Sequence, residues 1–238
     1  MRGIIGKILR RLKFNSSRIY LEKFLEKAAA EVSQGSMLLD AGAGDGRYSL
    51  HFKHANYESA DICKLERPYS EITYVCNLNE IPVEDNRYDA IICTQVLEHI
   101  NEPSEVLAEF NRVLKPGGKL YLTAPLYYPE HEIPYDFYRY TQFGFQHLFK
   151  KAGFTVNNIE WLEGYFMTLA NQLWIAFESL TIFDKKLGLI NLISMPVIFM
   201  LKLTFPFLSY FFGRLDMVAK ITDRGHCKNY ALIASKNV

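Results

Sequence analysis

The stretch LLDAGAGDG, residues 38–46, sets Gly42, Gly44 and Gly46 two residues apart, directly behind Asp40 at the end of an apolar run. Glycine is entropically costly, so this pattern implies a backbone that bends sharply or that a ligand approaches closely. A strand, a glycine loop and a following helix would bring backbone N–H groups and a helix N-terminus to bear on such a ligand. The spacing is not the Gly-x-Gly-x-x-Gly of a dinucleotide fingerprint. Farther along, Asp61 closes the second predicted strand, where a carboxylate can accept hydrogen bonds from both ribose hydroxyls of a nucleoside.

These residues need a sheet to carry them. From Met37 onward, short apolar runs alternate with helical stretches, the signature of a parallel sheet covered by helices. SMLLDAG, YESADI, ITYVC, YDAIICTQ and GGKLYLTAP read as strands one to five. PSEVLAEFNRVLKPGG places Val106, Leu107, Phe110, Val113 and Leu114 on one helical face, a crossover helix that stops at Pro116 and two glycines. FTVNNIEW and NYALIASK read as the last two strands, with roughly seventy residues between them, too many for a simple loop.

With 238 residues and 49% hydrophobic content, the chain can bury a full core. A net charge of +1 gives no global pull toward nucleic acid, and no basic patch flanks the glycine loop. Cys63, Cys76, Cys93 and Cys227 have no zinc-like spacing and are expected to be reduced thiols of a cytoplasmic protein. Lys7, Arg10 and Arg11 interrupt what a secretory signal would need as an apolar stretch.

The order of LLDAGAGDG, Asp61, NEIPVEDNRYDAIICTQVLEHI, VLKPGGKLYLTAP, HEIPYDFYRYT and FKKAGF resembles that of class I S-adenosylmethionine-dependent methyltransferases, over roughly residues 38–160. The branch it resembles most is the small-molecule one with VLEH after the fourth strand and DFYRYT after the fifth, whose members often accompany bacterial cell-surface glycan and lipid genes. The resemblance implies a Rossmann-like α/β fold: a seven-stranded, mostly parallel sheet with helices on both faces and a helical insertion between the last two strands. It implies S-adenosylmethionine as cofactor, with Gly42, Gly44 and Gly46 at its amino-acid end and Asp40 ordering the loop. Asp61 would hold the ribose, Asn77 and Leu78 would border adenine, and Gln95 would lie near the methionine part. Position 77 is usually an aspartate, so the adenine contact departs from the family pattern.

Methyl transfer from a sulfonium is an in-line displacement, so the protein must chiefly align the acceptor and exclude water. Three residues compete as a base for the acceptor's proton. His99, in VLEHI, follows the fourth strand at its ligand-binding end, where a packed structural histidine is the alternative. His131 and Asp136 lie in the segment expected to fold over the acceptor, where Asp136 can instead pair with Arg139 to brace Tyr138 and Tyr140. Some members with a Glu-x-x-Glu-His element hold a divalent metal. Here Gln95 replaces the first glutamate, leaving Glu98 and His99, so no obligatory metal is expected.

Four segments are expected: 1–33, a basic amphipathic stretch; 34–160, the cofactor-binding core; 161–228, an apolar helical insertion; and 229–238, the final strand. Ile4, Ile5, Ile8, Leu9 and Leu12 recur at helical spacing among Lys7, Arg10, Arg11 and Lys13, a pattern suited to a lipid headgroup layer or to packing on the domain. Leu187 to Gly213 carries one charge, Lys202, and is expected to be broken by Pro196 and Pro206 into a lid, a hairpin dipping into one leaflet, or a homodimer interface. The partners expected are a small-molecule or lipid-linked acceptor and the inner membrane surface, not nucleic acid. Two other readings are a quinone- or polyprenyl-type methyltransferase and a non-catalytic partner that keeps the fold.

Overall fold

The computed structural model describes residue 12 and residues 16–66, 68–183 and 188–238. The N-terminal amphipathic stretch, apart from Leu12, lies outside the described residues, as does Leu187. The described residues divide into two units, one drawn from 20–162 with 229–238 and one from those before residue 20 with those of 163–228.

The first unit is built on a seven-stranded sheet in the order β3-β2-β1-β4-β5-β7-β6. Its strands are β1 (Met37–Ala41), β2 (Asn56–Asp61), β3 (Tyr74–Val75), β4 (Tyr88–Thr94), β5 (Leu114–Pro125), β6 (Phe154–Trp161) and β7 (Asn229–Lys236). The first five pair in parallel, and β7 runs antiparallel between β5 and β6. β4 is buried along most of its length because a parallel strand is covered on both faces, which is why Ala90 to Cys93 read as a continuous apolar run.

Helix α1 (Ser16–Glu31) contributes Leu21, Phe24, Leu25 and Ala28 to a core shared with Val32, Leu38, Phe52, Ile92 and Tyr121. Residues 20–33 therefore belong with the sheet, and the boundary expected after residue 33 falls after residue 19. Crossover helix α2 (Pro103–Val113) opens on proline at its first turn and buries Val106, Leu107, Phe110 and Val113; Leu114, expected on the same face, instead opens β5, so the helix ends three residues before Pro116. Helix α3 (Gln142–Lys151) is capped by Thr141, whose hydroxyl accepts from the Gly144 N–H at 3.1 Å, and it buries Phe145 and Phe149.

The helix expected directly after the glycine loop is absent. The chain makes only a four-residue 3-10 turn, Ser49–Phe52, which buries Phe52 before β2 begins at Asn56.

The second unit pairs α4 (Tyr165–Ser179) with α5 (Ile190–Val218). Phe166 stacks on Phe212 at 5.6 Å, and the Ser209 hydroxyl donates to the Ala170 carbonyl at 2.7 Å. Pro196 and Pro206 do not break the run as expected: α5 continues through both for 29 residues. Each interior proline costs about 3 kcal/mol, which packing along α4 offsets. Lys202 turns inward, donating to the Phe177 carbonyl at 3.1 Å and lying 5.0 Å from that ring's centre. The outer side of α5 is left to Ile193, Phe199, Met200, Phe207 and Phe211, all more than half exposed.

Candidate active site

A cavity of about 650 Å³ opens within the sheet unit at the C-terminal ends of β1, β2 and β4, where open α/β sheets bind ligands. Its walls include Gly42, Gly44, Asp61, Asn77, Leu78, Gln95, His99 and His131. It therefore gathers residues from five separate stretches of the chain.

One end is the glycine loop. The Gly42 and Ala43 N–H groups donate to the Ala60 carbonyl, and the Gly44 N–H donates to Asp61 Oδ2 at 3.0 Å. Asp61 also accepts from the Cys63 N–H through Oδ1 at 2.8 Å. These loop amides are thus spent inside the protein, tying β1 to β2, rather than aimed at a ligand as expected. The glycines answer to close packing as well. At Gly42 (φ +82°) a Cβ would meet Val96 Cγ2 at 2.3 Å, and at Gly46 (φ +66°) it would meet Ser70 at 2.7 Å. It is the protein's own side chains that a bulkier residue would strike at these two positions.

Asp40 lies beneath the loop and does not line the cavity. It accepts from the Tyr57 hydroxyl at 2.6 Å, and burial pushes its carboxyl up to about 7. Gly46 likewise stands outside the cavity wall. Gln95 is on it, in the left-handed region at φ +55°, a conformation rare for residues with a side chain. Its backbone N–H donates to the Thr123 carbonyl and its side-chain amide to the Thr123 hydroxyl at 3.2 Å.

The other end is formed by residues 97–101 with residues 131–140 folded onto them. Phe137 and Tyr138 donate backbone N–H bonds to the Glu98 carbonyl, the Tyr140 hydroxyl donates to Leu97 at 2.9 Å, and the Tyr138 hydroxyl donates to Asn101 at 3.0 Å. Arg139 holds both oxygens of Asp136 at 2.7 Å and donates to the Tyr128 and Pro129 carbonyls. Asp136 accepts from the His131 backbone N–H at 2.8 Å, and Arg139 draws its carboxyl well below the usual carboxylate range. It does not reach the cavity, so its place in the catalytic set is corrected: Asp136 positions His131, because its oxygens are already held.

His99 Nδ1 lies 2.6 Å from the Tyr135 carbonyl, which can only accept, so that nitrogen carries the proton and Nε2 is left with a lone pair. Burial lowers its affinity for a second proton. The His131 ring meets His99 edge to face at 4.7 Å. Behind them Glu98 is wholly buried, and burial pushes its carboxyl up to about 8. Sequence reasoning treated Glu98 only as half of a truncated motif and did not bring His131 to it, since the two lie on different loops. It also passed over Arg47, Lys64, Glu132, Tyr135 and Phe137 on the cavity wall. The clustered HEIPYDFYRY aromatics were the available signal for the last two.

The methyltransferase domain family matches residues 14–159. The chain is 29% identical over 143 residues to a ubiquinone/menaquinone biosynthesis C-methyltransferase of Shewanella oneidensis, covering 50% of this chain and 57% of that protein. It thus spans little more than half the length of that relative. Among solved structures, a putative methyltransferase from Bacillus halodurans superposes with a TM-score of 0.56 at 15% identity, covering 91% of this chain and 99% of that one. A Haemonchus contortus phosphoethanolamine N-methyltransferase in complex with S-adenosyl-L-methionine does so with a TM-score of 0.54 at 18% identity, covering 94% and 53%. With the family match spanning more than half of its length, and with the sheet order and cavity described above, the chain belongs to the S-adenosylmethionine-dependent methyltransferases.

Proposed function

We propose that this protein transfers a methyl group from S-adenosylmethionine to an oxygen or nitrogen of a small or lipid-linked acceptor, such as a cell-surface glycolipid intermediate. The observation that carries the reading is the single cavity bounded by the glycine loop and Asp61 at one end and by His99 and His131 at the other. Its volume suits a nucleoside-sized ligand together with part of an acceptor. Asp61 keeps lone pairs for ribose hydroxyls beyond its two backbone bonds, Asn77 and Leu78 suit the base, and Gln95 suits the amino-acid end. When bound, the cofactor supplies an electrophilic methyl on sulfur. The protein's own part is to orient the acceptor and exclude water, with His99 or His131 able to take its proton.

The lipid-linked choice is supported by α5. Ile193–Val218 has a mean hydropathy of 1.6 and is long and apolar enough to cross a membrane, yet only 11% of its most apolar window is buried. Residues 162 and 229, on either side of the helical unit, both belong to the sheet unit, so the chain must return to the side it left. A helix lying in one leaflet of the inner membrane face, the sheet on the cytoplasmic side, satisfies that requirement. A second reading, methylation of a quinone or polyprenyl ring, is favoured by the likeness to the ubiquinone/menaquinone C-methyltransferase.

Incubation with labelled S-adenosylmethionine and fractionated membrane lipids tests both readings. Label on a glycolipid supports the first, and label on an isoprenoid ring carbon supports the second. Absence of transfer to any fraction, despite cofactor binding, would leave a binding module in place of an enzyme. Flotation with anionic vesicles tests α5: protein that stays at the bottom of the gradient and elutes as a dimer would make its apolar side a subunit interface.

A further inference from the structure

Glu98 has no exposed surface, and neither of its carboxylate oxygens has a hydrogen-bond partner among the described residues. A buried carboxylate in that state is costly unless a cation or a proton compensates it. Its Oε1 lies 3.9 Å from His99 Nε2, and one ligand atom from each of Glu98, His99 and His131 falls within 4.8 Å of the other two.

Both imidazoles are set for the same task. His99 gives its Nδ1 proton to the Tyr135 carbonyl. His131 Nδ1 lies 3.2 Å from the Pro129 carbonyl and 3.3 Å from Asp136 Oδ2, and Arg139 holds Asp136 in place. In each ring Nε2 is the nitrogen left with a lone pair. A backbone carbonyl or a carboxylate on the far nitrogen is the arrangement that orients metal-ligating histidines. Glu132 Oε2 stands a further 3.7 Å from His99 Nε2.

We propose that Glu98, His99 and His131 form a binding site for a divalent transition cation, with an open coordination position facing the cavity. Two imidazoles and a carboxylate suit zinc, cobalt or iron better than magnesium or calcium, which take oxygen shells. The three groups need close by only about an ångström to reach an ion at about 2 Å. Because His99 and His131 line the cavity, the open position is available to an oxygen or nitrogen donor within it. The truncated motif argued against a metal, and Gln95 is indeed directed to Thr123; His131 supplies the third ligand from another loop. The site shares the cavity of the proposed reaction but does not depend on methyl transfer; while a cation occupies both Nε2 atoms, neither ring takes the acceptor's proton.

The test is titration of the full chain, stripped with a chelator and free of cofactor, with Co²⁺ followed by visible absorption. A saturable ligand-field band at one equivalent, displaced by Zn²⁺, is expected. His131→Ala and Glu98→Gln should each weaken Co²⁺ binding more than tenfold, and Asp136→Asn, a positioning change, about tenfold. Each variant is first checked for a wild-type circular dichroism spectrum. His131→Ala removes only a half-buried ring, which keeps the test available if Glu98→Gln fails to fold. Absence of a saturable band, or a band of unchanged affinity in folded His131→Ala, would overturn the proposal. Neither result bears on cofactor binding, which is measured without metal.

Discussion

Asp61 and Glu98 are both buried carboxylates of the sheet unit, one at the C-terminal end of β2 and the other just beyond β4, yet Asp61 accepts two backbone N–H bonds while Glu98 accepts none. The difference divides the cavity. At the glycine end the protein satisfies itself, so the loop's shape exists before any ligand arrives. At the histidine end a carboxyl group is kept from water without a side-chain partner, and two imidazoles are oriented toward it. A preformed end suits a cofactor bound in every turnover, whereas an end with unmet polar capacity suits a group supplied from outside.

The sharpest way to break the comparison is at Gly42. Gly42→Ala places a Cβ against Val96 in a left-handed conformation, and should cost about 3 kcal/mol of stability by thermal unfolding. Adding Val96→Ala should recover part of that loss. An unchanged melting temperature in Gly42→Ala would mean that the loop is not packed as described.

Asp61→Ala comes next, removing the acceptor of the Gly44 and Cys63 N–H groups. It should weaken S-adenosylmethionine binding by about tenfold or more, as expected for charge-assisted hydrogen bonds. At the other end, Arg139→Gln releases Asp136, and through it His131. Steady-state kinetics should show turnover falling severalfold with little change in cofactor affinity. A parallel fall in both would show that the two ends are not independent.

A pH-dependent effect concerns Asp40. Its folded-state pKa of about 7 lies above the ordinary aspartate value of about 4, so between those values the folded state binds more protons than the unfolded state. Its contribution is therefore fully present below about pH 4, declines as pH rises to about 7, and is flat above. Asp40→Asn should reduce that decline in a series of melting temperatures from acid to neutral pH, and an identical series in the two proteins would remove the assignment.

Much of the sheet was legible because central strands covered on both faces leave apolar runs, in parallel β4 (AIIC) and in antiparallel β7 (YALIA), and α2 because its apolar face repeats with helical period. The cavity residues that end strands, Asp61 and Gln95, were legible for the same reason: once the strand is located, so is its end. What stayed hidden was tertiary. Nothing local says that Gly42 packs on Val96 or Gly46 on Ser70, or that His131 meets Glu98 and His99 from another loop. Proline chemistry alone argued for breaks in α5, and only packing along α4, with Lys202 turned in to Phe177, explains the unbroken helix.

Calorimetric titration with S-adenosylmethionine and S-adenosylhomocysteine, on the wild type and on Asp61→Ala, tests the central claim most directly. The account predicts saturable one-site binding of both compounds to the wild type, weakened at least tenfold in Asp61→Ala. Failure of the wild type to bind either compound, or equal affinity in the variant, would contradict it.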